Sequence, residues 1–238
     1  MKQSRCFRPP WWAWLLATAG CVLTVALGCW QLQRAEAKKA LLANYLRAAT
    51  APAQPLDAGV PAGSVPQAVS AHGVYEAEHQ LLLDNQAYRE RPGYQVWTPL
   101  RLADGTRVIV NRGWVPRFER REQPTPLPAP AGELEVHGIW RALPQPGLRL
   151  APGICRKGEN FPEYVIYPSV AELHCLLAAP VADGVLLLDP LAAGGYVREW
   201  NFSEAIPPER HYAYAVQWFA LALTVLFLFI KLNWKQHE

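Results

Sequence analysis

Two long apolar segments lie near the ends of the chain, with a more polar segment between them. The first runs from Trp11 to Trp30 and the second from Tyr214 to Ile230, and neither contains a charged residue. A helix rises about 1.5 Å per residue, so each segment is about as long as the hydrocarbon core of a bilayer is thick. Backbone groups in lipid must be satisfied within their own segment. The pattern therefore predicts a membrane protein with two transmembrane helices that bracket one extramembrane domain.

The same pattern divides the 238 residues into five parts. They are a cytoplasmic tail (1–10), a first transmembrane helix (11–31), a β-rich domain that begins with a juxtamembrane helix (32–211), a second transmembrane helix (212–231) and a second cytoplasmic tail (232–238). Apolar residues from Leu32 to Leu46 recur at steps of three and four, which predicts that the first helix continues out of the bilayer.

Short alternating runs predict that the domain is mainly β, a small barrel or sandwich of the α+β class. The predicted strands are Val69–Tyr75, His79–Asn85, Tyr94–Leu102, Thr106–Trp114, Glu133–Arg141, Val165–Tyr167, Val185–Asp189 and Tyr196–Trp200. The Ala103-Asp-Gly105 segment is typical of a hairpin turn. Ser169 and Glu172 form a capping-box pattern, which predicts a helix that extends through Ala178.

Basic residues at both termini predict the orientation. Lys2, Arg5 and Arg8 precede the first span, and Lys231 and Lys235 follow the second. Such flanks favour the cytoplasm, so we expect both termini inside and the domain outside, which in a bacterial inner membrane means periplasmic. Basic residues beyond the first span oppose this bias: Arg34, Lys38 and Lys39. No Arg- and Ser-rich presequence precedes the first span, which argues against mitochondrial targeting.

A cleaved signal peptide is the alternative interpretation of the first apolar segment. Ala26-Leu-Gly-Cys29 resembles a lipoprotein cleavage site, although Leu27 stands where a small residue is usual. Cys155 and Cys175 share the outer domain, and either pair in an oxidising compartment or remain separate small apolar residues.

The composition and the motifs give little sign of an enzyme. The net charge of +3 does not favour a nucleic-acid partner. The chain lacks the motifs G-x-S-x-G, H-E-x-x-H and C-x-x-C and a phosphate-binding glycine loop. We therefore expect a protein that binds rather than catalyses.

A candidate site lies where the two spans leave the membrane. His211, Tyr214 and Trp218 fall on one stripe of the second helix, and Trp30 and Arg34 are i, i+4 neighbours on the first. Imidazole can ligate haem iron, flat rings pack against a macrocycle, and arginine binds a propionate carboxylate. The pattern thus predicts that His211 is a metal ligand. The alternative is that these aromatic residues only mark the membrane interface, while His211 caps the helix or faces water.

Several segments together resemble the surfeit locus protein 1 family, which assembles cytochrome c oxidase. They are Leu27–Arg34 with Lys38, Leu83–Gln86, Pro92–Val96, Val110–Val115, Leu188–Pro190, Arg198–Trp200 and His211–Phe219. Their order, and the apolar segment at each end, make the resemblance specific over nearly the whole chain.

The resemblance implies a non-enzymatic assembly factor that binds haem a as cargo and helps its delivery to oxidase subunit I. It implies partnership with subunit I, haem a synthase and the lipid bilayer. The family's histidine and tryptophan of the second span correspond to His211 and Trp218, and its tryptophan and arginine of the first span correspond to Trp30 and Arg34. Glu209 and Arg210 depart from the amides that other members carry before the histidine.

Two other functions remain open at the level of the sequence. One is a scaffold that stabilises oxidase assembly intermediates without haem, with the Asn111–Trp114 segment as a docking strand. The structural alternative for that segment is a hairpin whose Trp114 fills the core and whose Arg112 is exposed. The other function is a membrane-bound sensor, or an enzyme with an unfamiliar site.

Overall fold

The computed structural model describes residues 5–7, 9–56, 65–117, 127–145, 157–158, 160–200 and 207–236. In these residues the helices are α1 (Trp11–Thr50), α2 (Val170–Leu177) and α3 (Pro208–Asn233). The chain divides into two compact units, Met1–Ala43 with Asn201–Glu238, and Asn44–Trp200. The prediction of apolar terminal helices that flank a strand-rich domain is confirmed.

The described strands are short and mostly lie in the second unit. They are β1 (Arg5–Phe7), β2 (Gln54–Pro55), β3 (Gln67–Tyr75), β4 (Leu81–Tyr88), β5 (Arg91–Arg101), β6 (Arg107–Pro116), β7 (Glu133–Arg141), β8 (Glu163–Val165), β9 (Val181–Leu188) and β10 (Trp234–Gln236). Strands β2 to β9 form one sheet in the order β2-β3-β7-β9-β6-β5-β4-β8, and β3 also pairs with β5. The sheet therefore turns back on itself, and the described residues of the domain form this one sheet, not the two packed sheets of the predicted sandwich alternative.

Strand β9 is the centre of this sheet. It pairs antiparallel with β7 and parallel with β6, and α2 precedes it in the chain. Its residues Val185 to Leu188 are all buried, which explains why they form a continuous apolar run rather than an alternating one. Trp97 and Trp140, each 1% exposed, are the largest side chains of the buried clusters.

Local turn and cap signals lie where the sequence predicts them. Gly105 has φ of +85°, and Thr106 N–H donates to the Asp104 carboxylate at 2.8 Å. The β5–β6 hairpin thus has the glycine conformation that its turn requires. At α2, Glu172 N–H donates to Ser169 Oγ at 3.3 Å, and Ser169 N–H donates to Glu172 Oε2 at 2.6 Å. The predicted capping box is confirmed.

The prediction of a strand at Tyr196–Trp200 is wrong. Only an isolated bridge between Val197 and Trp114 forms there. Arg198 Nη1 donates to the Asp189 carbonyl at 2.6 Å, and Trp200 Nε1 donates to the Leu188 carbonyl at 2.9 Å. Side-chain bonds to the end of β9 and a few backbone bonds to Arg112 and Trp114 of β6 thus hold this segment, without the continuous ladder of a strand.

The strand-rich domain contains two cysteines, Cys155 and Cys175. Cys175 is disulfide-bonded. Cys155 lies outside the described residues, so its predicted pairing with Cys175 stays a prediction.

Arg112 is a buried cation, so the interpretation that it is exposed is wrong. It is 1% exposed. Its Nε donates to the Gly194 carbonyl at 2.9 Å, its Nη2 to the Pro128 carbonyl at 2.7 Å and its Nη1 to Thr98 Oγ1 at 3.3 Å. Burial lowers the pKa of this guanidinium. Arg112 therefore ties two loop segments to β6, which is a structural role.

Aromatic rings complete the surroundings of this guanidinium. Its carbon lies 5.4 Å from the centroid of Tyr75 and 5.2 Å from that of Tyr196. Trp114, two residues further along β6, is half-buried and packs against Tyr88 with ring centroids 5.3 Å apart. Trp114 therefore packs at the margin of the domain, not in its core.

Replacement of Arg112 by lysine should destabilise the domain. Lysine keeps the charge but cannot reach the Gly194 and Pro128 carbonyls together, which leaves buried acceptors unpaired. We expect Arg112→Lys to lower the free energy of unfolding by about 2–4 kcal/mol, measured by urea denaturation of the full chain in micelles. The matched change at exposed Arg91 should cost less than about 0.5 kcal/mol. Equal effects at the two positions would contradict the structural role.

Tyr75 should make the domain sensitive to alkaline pH. Burial raises its pKa to about 12, whereas a tyrosine in an unfolded chain ionises near about pH 10. The unfolded state therefore loses the proton first, and stability falls as the pH rises from 10 to 12. Because the Tyr75 hydroxyl makes no hydrogen bond in the described residues, Tyr75→Phe should keep the stability at pH 8. It should also reduce the alkaline loss by roughly 2 kcal/mol. If the wild type and Tyr75→Phe gave parallel curves of unfolding free energy against pH, this prediction would be wrong.

Candidate functional site

Helices α1 and α3 pack against each other in antiparallel directions. Gly20 faces Val225, whereas Gly28, further along α1, faces Phe219, which comes earlier in α3. At the far end of the pair, β1 and β10 form a two-stranded antiparallel ribbon that joins the start of α1 to the end of α3. The start of α1 therefore lies beside the end of α3, and the middle of α1 lies beside the start of α3.

Gly28 is a point of close approach between the two helices. A Cβ atom at this position would lie 2.6 Å from the ring of Phe219, too close for any side chain. Gly28 is buried, and Ala215 on the facing helix is 1% exposed. Small residues such as these let helices approach closely.

His211 lies in this seam and is oriented by Gln31. The imidazole is 8% exposed, and its Nδ1 is 2.7 Å from Gln31 Oε1. An amide oxygen can only accept, so Nδ1 carries the proton and donates it. In the described residues Nε2 makes no hydrogen bond. Nε2 is therefore the nitrogen whose lone pair is available to a ligand.

Trp30 and Arg34 form their own contact on α1. The guanidinium carbon of Arg34 lies 5.8 Å from the centroid of the Trp30 ring, within the range of a cation–π interaction. Trp30 is 48% exposed and Tyr214 is 40% exposed, while Trp218 is half-buried. Three aromatic surfaces are thus open at the end of the helix pair where α3 begins.

Helical spacing places these residues on one side of the pair. Leu16 of α1 and Leu232 of α3 line the same cleft at the far end of the helices, so they mark a common side. Steps of three and four residues keep to one helix face. On α1 they pass through Leu16, Gly20, Leu23, Leu27, Trp30 and Arg34, and on α3 through Leu232, Leu228, Val225, Leu221, Trp218 and Tyr214. We call this face, made of the two series, the aromatic side.

The opposite side of the seam has a different chemistry. Tyr212 donates to Glu36 Oε1 at 2.5 Å. This contact lies on the other flank of α3, one residue beyond His211. It fixes the two helices at the level of the imidazole.

Four of the sequence-predicted residues lie on the aromatic side and His211 lies in the seam beside it, but they do not all touch. No ring contact or hydrogen bond joins Trp30 or Arg34 to Tyr214 or Trp218 in the described residues. Sequence reasoning missed Gln31 as the partner of His211. Its signal is its position three residues after Gly28, on the stripe that faces α3.

The described residues contain no group of three or more His, Cys, Asp or Glu side chains that could hold a metal ion. A haem iron needs less from a protein, because the porphyrin supplies four ligands and one imidazole suffices as an axial ligand. His211, with Nδ1 held by an amide oxygen, has the usual environment of a metal-binding histidine.

Comparison with known proteins identifies the family. The sequence profile of the SURF1 family matches residues 19–223, a range that includes the candidate site residues of both helices. The chain therefore belongs to the SURF1 family. It is also similar to a SURF1-like protein of Drosophila melanogaster, with 27% identity over 264 aligned positions that cover 97% of this chain and 79% of that protein.

Removal of the Gln31 amide should allow His211 to adopt both of its neutral tautomers. In protein with ¹⁵N-labelled histidine at pH 8, we expect the wild-type His211 to show a protonated Nδ1 and an unprotonated Nε2, because Oε1 accepts from Nδ1. Gln31→Ala should give a mixture of tautomers with Nε2–H populated. Gln33→Ala, at an exposed glutamine two residues further on, should leave the spectrum unchanged. A wild-type His211 with the proton on Nε2 would contradict the geometry.

Proposed function

We propose that this chain is an assembly factor for haem-copper cytochrome c oxidase that binds haem a and assists its delivery to subunit I. Assembly of cytochrome oxidase is the general role of the SURF1 family, to which the chain belongs. The observation that carries the haem proposal is the 2.7 Å contact between His211 Nδ1 and Gln31 Oε1. It leaves Nε2 as the nitrogen for iron.

The remaining site residues fit a haem in chemical terms. Trp30, Tyr214 and Trp218 offer ring surfaces for the macrocycle. Arg34 lies one turn beyond Trp30 and offers a fork of donors for a propionate. Each of these groups lies on the aromatic side of the helix pair, and His211 lies in the seam that borders it.

We further propose that α1 and α3 cross the bacterial inner membrane, with both termini cytoplasmic and the strand-rich domain periplasmic. The apolar window of each helix is long enough to span a bilayer, and only 11% of each window is buried within the protein. A core helix of a soluble protein would be mostly buried. The β1–β10 ribbon supports a common side for the termini, because it joins them at one end of the helix pair.

This placement suggests how the cargo moves. The site lies at the outer end of the helix pair, within reach of a haem that stays in the membrane throughout its transfer. Haem a synthase would supply the cargo and subunit I would receive it. A single histidine ligand on an open face suits a carrier, because the cargo must leave again.

A scaffold that never binds haem is the competing function. Its sequence basis was an accessible Asn111–Trp114 segment, but Arg112 is buried and holds loop carbonyls. No described contact favours the scaffold over the haem site.

The visible spectrum of the purified protein tests the haem proposal. Protein from cells that make haem a should contain haem with a spectrum typical of histidine ligation. His211→Ala should lose most of that haem or change its spectrum, because the axial ligand is gone. His72→Ala, at an exposed histidine on β3, serves as the matched control and should behave like the wild type.

Cells that express the same variants distinguish the scaffold function from the carrier function. If His211→Ala keeps the wild-type spectrum and still supports oxidase assembly in cells, the carrier function is wrong. A variant that is folded and inserted, but lacks both haem and assembly activity, supports it.

A further inference from the structure

An apolar cleft of about 440 Å³ lies between α1 and α3, near the start of α1 and the end of α3. Leu16 and Ala17 line it from α1, and Leu228 and Leu232 line it from α3. Asn233 is its polar member, and its Nδ2 donates to the Phe229 carbonyl at 2.7 Å. The cleft therefore suits a hydrocarbon group.

The cleft opens on the aromatic side of the helix pair. Between Trp30 and Leu16 that side continues through leucine and glycine on α1, and through leucine and valine on α3. Leu23 is 60% exposed and Leu221 is 49% exposed, so the track between them is open to a ligand along its length. Fourteen residues of helix separate Leu16 from Trp30, which is roughly 21 Å along the axis.

We propose that the cleft binds the isoprenoid tail of haem a while the macrocycle lies at Trp30, Tyr214 and Trp218. This inference rests on the proposed function and adds to it a preference for haem a over protohaem. The tail is what distinguishes haem a in shape from protohaem, which lacks it. A ring held at His211 would direct its tail along the apolar track toward Leu16 and Leu232.

Tethering explains why the tail would occupy the cleft in preference to a lipid chain. In a bilayer the hydrophobic effect does not drive an apolar group into an apolar cleft, because lipid is equally apolar. Packing and the filling of a void remain as the favourable terms. A tail attached to a ring that is already bound has a high effective concentration at the cleft, which free acyl chains lack.

Filling the cleft should reduce binding of the tailed haem selectively. Ala17→Phe places a ring in the cleft, and Leu232→Trp fills it from the exposed rim, where Leu232 is 71% exposed and the helix seam is not disturbed. With full-length protein in lipid nanodiscs, we expect either variant to weaken haem a binding by at least about tenfold. Protohaem affinity should stay within about twofold of the wild-type value.

Ala19→Phe is the matched control. Ala19 is exposed and lies two residues from Ala17, on a part of α1 that does not line the cleft. It should leave the affinities for both haems unchanged. Equal weakening of haem a and protohaem by Ala17→Phe and Leu232→Trp, or no weakening of either, would overturn the tail site. Loss of a copurified phospholipid from both variants with unchanged haem affinities would assign the cleft to bilayer lipid and also overturn it.

The proposed function fails in a different way. If the wild type binds neither haem, or if His211→Ala changes neither affinity, the haem site itself is wrong. If the wild type binds both haems equally and in a His211-dependent manner, only the tail site is wrong.

Discussion

Close packing of α1 against α3 is the contact on which the candidate site depends. The ring of Phe219 occupies the place that a side chain at residue 28 would take, at 2.6 Å from a Cβ there, so glycine sets the spacing of the seam. Only at this spacing does His211 reach Gln31 across the pair. Two residues 180 positions apart in the chain thereby define which imidazole nitrogen can bind a ligand. In a bilayer such packing and interhelical hydrogen bonds take the place of hydrophobic burial.

The strand-rich unit has its own source of stability. Its sheet turns back on itself, and Arg112 joins β6 to the loop segments that carry Pro128 and Gly194. Among the described residues this buried guanidinium contacts no carboxylate, and carbonyl oxygens and aromatic rings receive its donors and its charge instead. This explains why an arginine follows Asn111 in a buried strand, where an apolar residue would be usual.

Much of the fold could be predicted from local signals. The apolar segments, the Asp104-Gly105 turn and the Ser169–Glu172 capping box each depend on residues close in the chain. Strands β3 and β7 alternate over part of their length, whereas β5 and β6 are buried over most of theirs, so the hairpin turn between them is the local signal that predicts them. The strand prediction at Tyr196–Trp200 is wrong because its large side chains alternate for another reason. Arg198 and Trp200 bond to carbonyls at the end of β9, and the backbone forms only an isolated bridge to β6.

The site could be predicted only in part. Helical spacing correctly groups Trp30 with Arg34, and His211 with Tyr214 and Trp218, because each group lies on one helix. Which flank of α1 meets which flank of α3 depends on contacts between distant residues, such as Gly28 with Phe219 and Glu36 with Tyr212. Gln31 was missed for that reason, since nothing nearby in the sequence identifies its partner.

Pulsed electron paramagnetic resonance tests the helix pairing most directly. Spin labels at residues 36 and 212, in protein whose Cys6, Cys21 and Cys29 are replaced by serine, should give one short distance in lipid nanodiscs. It should be on the order of 10–20 Å, because packed helix axes lie about 8–10 Å apart. Labels at 36 and 229 should be farther apart, since about 25 Å of helix separates residues 212 and 229. A long or broad distribution for the 36–212 pair would show that α1 and α3 do not form the seam, and would contradict the account.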